Sequence, residues 1–107
     1  MIEITYNKKT YDLEFDKETV TMLENRGFDI NMVTERPTSQ FPILFWGAFL
    51  KHNPKIKKGE TDLMLGHFKD VPGMVSALID LYNEPANKMF DEPEEDDPNA
   101  GTWTVIK

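Results

Sequence analysis

The chain has 107 residues, room for one domain with one modest core. It contains no cysteine, which excludes disulfides and thiolate chemistry. A net charge of −7 opposes binding to nucleic acid or to an anionic membrane, both of which need a cationic footprint, and favours a neutral or basic partner.

The opening residues predict a β-hairpin. Ile2, Ile4 and Tyr6 alternate with Glu3 and Thr5, and Tyr11, Leu13 and Phe15 alternate with Asp12 and Glu14, the period-2 pattern of half-buried strands. Asn7-Lys8 is a suitable two-residue turn, because asparagine accepts positive φ better than most residues. That turn pairs Tyr6 with Lys9, Ile4 with Tyr11 and Ile2 with Leu13, all on one face. A lone hairpin is marginal in water, so this face must lie on helices. No basic region leads into an apolar run here, so no signal peptide is expected.

A helix over Lys17–Arg26 follows. Asp16 is its N-cap, with Phe15 and Val20 at the two positions of a hydrophobic staple. Gly27 fits the left-handed C′ position and sets Phe28 over Leu23 as a Schellman close. From Phe28 to Pro37 the pattern is less regular, with Phe28, Ile30 and Val33 anchoring a turn on the core.

The most apolar stretch is Pro42-Ile-Leu-Phe-Trp-Gly-Ala-Phe-Leu50. Thr38 or Ser39 can cap a helix here, Pro42 is tolerated near its start, and Asn53-Pro54 marks its end beyond His52. Apolar all round, it is expected to be the central, most buried helix, with Phe45 and Trp46 both covered and Trp46→Ala costing roughly 3–5 kcal/mol. It reads either as core or as a partner-binding helix with one side open, and different faces can do both.

Lys51, Lys55, Lys57 and Lys58 then gather on a loop ended by Gly59, as an anion or acidic-partner patch or simply a solvated loop. A short helix is expected over Thr61–Lys69. Asp70 caps another with Pro72 at N2, along which Val71, Met74, Val75, Leu78, Leu81 and Tyr82 form a stripe. Pro85 kinks or ends it; if it only kinks, Ala86, Met89 and Phe90 continue the stripe. From Asp91 six carboxylates interrupted by Pro93 and Pro98 predict a disordered acidic tail over 91–107. Within it Thr102–Ile106 regains β-propensity, as a recognition segment or as a third strand on the hairpin edge. The expected fold is α+β: a single domain over 1–90, with the hairpin on a bundle of three to five helices. No run approaches the ~20 apolar residues that span a bilayer.

No catalytic constellation stands out. His52 and His67 are the only histidines, and nothing specific pairs Ser39 or Ser76 with either. Gly47, Gly59, Gly66 and Gly73 are scattered rather than gathered in a phosphate loop. The acidic run lacks the ligand spacing and central glycine of a calcium loop. Glu3, Asp12 and Glu14 read as solubilising groups on the hairpin's outer face. A non-enzymatic protein without cofactor or metal is expected. Its candidate partner-binding residues are Phe41, Phe45 and Phe49 of the central helix, Met74, Leu78 and Tyr82 of the later stripe, and Trp103 and Val105 near the C-terminus.

The order of elements carries a family resemblance. Its marks are Ile2-Glu3-Ile4-Thr5-Tyr6-Asn7, then Leu23-Glu24-Asn25-Arg26-Gly27-Phe28-Asp29-Ile30. Phe45-Trp46-Gly47-Ala48-Phe49 ending near His52-Asn53-Pro54 follows, and finally Leu78-Ile79-Asp80-Leu81-Tyr82. This pattern, covering roughly Ile2 to Phe90, resembles the tail assembly chaperones of long-tailed phages infecting Gram-positive bacteria. The resemblance implies a protein of the host cytoplasm that binds the tape measure protein, keeps it soluble during tail assembly and is absent from the finished virion. It also implies self-association, and a frameshifted longer form that recruits the tail tube protein. Two rival classes are a small acidic inhibitor or nucleic-acid mimic, with carboxylates patterned on a folded surface, and a head–tail joining component retained in particles.

Overall fold

A computed structural model describes residues 1–90, 101 and 104–106 of the chain. Two antiparallel strands, β1 (Ile2–Tyr6) and β2 (Lys9–Leu13), are followed by five helices: α1 (Lys17–Asn25), α2 (Met32–Glu35), α3 (Pro37–Phe49), α4 (Lys58–Leu65) and α5 (Val71–Met89). The fold is α+β, as the alternation and the helical periodicities imply. The acidic run and Trp103 lie outside the described residues. At 104–106 no strand forms, and the sheet is two-stranded among the described residues.

The hairpin forms in the expected register, with Tyr6 opposite Lys9, Ile4 opposite Tyr11 and Ile2 opposite Leu13. Asn7 and Lys8 both have positive φ, 52° and 65°, as a type I′ turn requires. Ile4 and Leu13 are buried while Glu3 and Thr5 face solvent. The hairpin is tied to the helices where the Glu14 N–H donates to the Ala48 carbonyl, 3.0 Å, at the end of α3.

Short-range chemistry sets both ends of α1. The Asp16 carboxylate accepts from the Thr19 N–H at 2.8 Å, and the Thr19 hydroxyl oxygen accepts from the Asp16 N–H at 2.9 Å, a reciprocal cap. At the other end Gly27, at φ 89°, turns the chain, and its N–H donates to the Glu24 carbonyl. The Phe28 N–H donates to the Leu23 carbonyl at 3.0 Å, completing the Schellman close.

Helix α3 touches the four other helices and β2, so it is the centre of the molecule. It starts earlier than expected. Pro37 occupies its first turn, where a missing N–H costs nothing, and Thr38 and Ser39 lie inside the helix rather than capping it. Pro42 is therefore interior; the Thr38 carbonyl it leaves without a helical donor belongs to an exposed residue, within reach of water. Phe41, Leu44, Phe45, Ala48 and Phe49 are buried. Trp46 is only half-buried, a correction to its expected burial. Its indole N–H donates to the Ile56 carbonyl at 3.1 Å, and the Arg26 guanidinium lies 5.2 Å over the ring. Gly47 marks the closest approach of α1: a Cβ there would stand 2.6 Å from Leu23 Cδ1.

One later element also departs from expectation. Helix α4 begins at Lys58, before Thr61, because the Glu60 carboxylate accepts from the Lys57 N–H at 3.3 Å and Lys58 pairs with Asp62 one turn on, at 3.0 Å. Gly59 is thus helical and ends no loop. Helix α5 starts as expected, with the Asp70 carboxylate accepting from the Gly73 N–H at 3.2 Å and Pro72 at N2. It then runs through Pro85 to Met89.

Candidate functional site

The candidate partner-binding residues separate into two groups. Phe41, Phe45, Phe49, Leu78 and Tyr82 are core residues. Covered by their own chain, these side chains have almost no surface to offer a partner. Phe45 meets Phe49 edge-on with centroids 5.0 Å apart. Tyr82 sits between Phe15 and Phe28, at 5.2 and 5.5 Å. Burial, aided by the charges of Glu24 and Asp29, pushes the Tyr82 phenol up to about 12. Met74 is half-buried and Val105 is exposed; Trp103 lies outside the described residues.

One open apolar surface lies where α5 continues past Pro85. Val20 and Thr21 of α1 face Pro85, Ala86 and Met89 of α5 across an open groove of about 500 Å³. Lys17 and Lys88 stand on its rim with Glu24. Just beyond it the chain exposes Met89 and Phe90, at 65% and 79% of their full surface. Contiguous exposed apolar surface of this kind, beside an apolar groove, is the sort that serves as an interaction surface. The stripe of α5 does continue past Pro85, yet Ala86, Met89 and Phe90 on it stay exposed. Periodicity showed these residues to be apolar without showing that they would stay exposed among the described residues.

Glu14, expected to be a solubilising group, forms a small cluster. Its carboxylate accepts from the Lys51 ammonium and pairs with His52 Nε2 at 3.0 Å. The hydrogen bond from Lys51, then that from His52, hold its carboxyl at about 2, well below the ordinary 4.5. The unfolded chain therefore binds the extra proton first as pH falls. The stabilisation is complete above about pH 4.5 and is lost as pH drops towards 2. Because the pair is partly solvated, Glu14→Gln should lower stability at pH 7 by only about 1 kcal/mol. The gap in urea midpoint between wild type and variant should narrow from pH 7 to pH 3; an equal gap at both pH values would show that the pair contributes nothing.

Among the described residues no group of three or more His, Asp or Glu side chains is arranged to hold a metal ion. No described helix is long and apolar enough to cross a membrane. What the groove offers is contact area: an apolar floor between two helices, a flexible methionine and a charged rim.

A family model described as a domain of unknown function, DUF5055, matches residues 1–106. No curated protein and no solved structure matches the chain.

Proposed function

The chain belongs to the DUF5055 family, whose description names no activity, and from its surface and motif order we propose that it is a phage tail assembly chaperone. In this reading it works without turnover in the cytoplasm of the bacterial host. It binds apolar segments of the tape measure protein and holds them in solution until tube subunits enclose them. A frameshifted longer form would recruit the tail tube protein, and copies of the chain would associate with one another.

One observation carries the proposal: the apolar groove between α1 and α5 runs on into exposed Met89 and Phe90, on a chain with a net charge of −7. A groove between two helices suits the apolar face of an amphipathic client helix. Methionine adapts to varied side chains, which suits a client offering many different segments. The negative charge keeps loaded copies apart. The order of motifs from the hairpin to Leu78-Ile79-Asp80-Leu81-Tyr82 supports the same reading.

Co-expression tests it. With the tape measure protein of the same genome, the chain should move that client from pellet to supernatant, with no nucleotide added. A client left in the pellet beside well-folded chaperone would refute the reading. Finding the chain in finished particles would favour a head–tail joining component instead.

A further inference from the structure

The basic cluster at residues 51–58 has no part in the groove between α1 and α5, and its neighbours in space are far from it in sequence. The loop joining α3 to α4 closes against the hairpin, so Lys55 comes to line the same open groove as Lys9. The floor of this second groove is apolar and aromatic, made by Tyr6, Tyr11, Ile56 and Met64. Leu63 on its edge is 66% exposed.

The cations here are not equally free. Lys51 is held by Glu14 and Lys58 by Asp62. Lys9 and Lys55 make no ion pair among the described residues, and the Lys9 ammonium rests 5.1 Å from the centre of the Tyr11 ring. Glu60, which accepts from the Lys57 N–H, is the one carboxylate in the lining and stands against two lysines, so the groove is positive on balance. A positive, apolar groove on a chain of net charge −7 has the opposite sign to the molecule that carries it. Self-repulsion keeps acidic chains from sticking here by charge alone, so a partner needs apolar contact as well as carboxylates.

We propose that this groove binds an acidic polypeptide segment carrying large apolar side chains. Its carboxylates meet Lys9 and Lys55, and its apolar side chains lie on Tyr6, Tyr11 and Leu63. The two requirements act together. Carboxylates give sign and speed of encounter, while burial on the aromatic floor supplies residence.

The full-length chain tests the proposal with a fluorescein-labelled peptide in which Glu alternates with Leu and Trp, followed by fluorescence anisotropy. Binding should saturate and weaken with added salt. The double variant Lys9→Glu with Lys55→Glu should weaken it about tenfold or more. Both lysines are exposed, so the fold should survive, as circular dichroism will show. Leu63→Asp should also weaken it. A control peptide with Ser in place of Leu and Trp should bind far more weakly; equal binding would mean a bare cationic surface and would overturn the proposal. So would unchanged affinity in the double variant, or tighter binding of single-stranded oligothymidylate than of the peptide. These outcomes concern the hairpin and α4 and leave the chaperone reading, which rests on α1 and α5, to its own test.

Discussion

Phe45→Ala should lower the stability of this protein by roughly 3–5 kcal/mol, the usual cost of removing a fully buried aromatic side chain. Phe45 has no solvent-accessible surface, and its ring packs against Phe49, Phe68 and Phe41 with centroids 5.0, 6.0 and 6.2 Å away. These neighbours belong to α3 itself and to the turn after α4, so the cavity would open where two elements meet. Domains of this size are stable by only about 5–15 kcal/mol, and the variant would lose a large share of that. Urea unfolding of purified protein should show the midpoint falling sharply with little change in slope. Trp46→Ala should cost clearly less, because its ring is half-exposed and the Ile56 carbonyl it leaves belongs to a residue that water reaches. If Trp46→Ala proved the more damaging, the core would be centred elsewhere.

On the chaperone reading proposed above, placing carboxylates in the groove between α1 and α5 should abolish client solubilisation while leaving the fold intact. Ala86 and Met89 are exposed, and neither is part of the core. Ala86→Glu with Met89→Glu therefore removes apolar contact surface and adds desolvation cost for any apolar helix docking there, without opening a cavity. In co-expression the tape measure protein should return to the pellet although the variant chain itself stays soluble. Thermal unfolding should move by no more than a few degrees. Solubilisation at the wild-type level by this variant would place the client on another surface. Failure of the wild-type chain as well would instead remove the chaperone reading itself.

Much of the architecture could be read from the sequence because the chemistry deciding it is local. The hairpin register follows from alternating side chains and two turn residues that tolerate positive φ. The limits of α1 follow from Asp16, Thr19 and Gly27, each satisfying backbone groups within a few positions. The central place of α3 was legible too, since a helix with apolar residues on every side cannot face water. Its boundary was not: Thr38 and Ser39 are good caps, yet Pro37 extends the helix ahead of them.

The candidate site was legible only in part. Five of its eight residues, Phe41, Phe45, Phe49, Leu78 and Tyr82, are in the core. Apolar periodicity reports that a side chain will leave water, and is silent on whether its own chain or a partner will cover it. Tertiary structure made that decision, by leaving Ala86 and Met89 of α5 exposed beside α1. It also brought Glu14 to Lys51 and His52, and Lys9 into one groove with Lys55. Such pairs are separated by some forty residues, and no local preference encodes them. They exist because packing of the hairpin on α3 and α4 stabilises the closing of that long loop, whereas caps and turns need no loop to close at all.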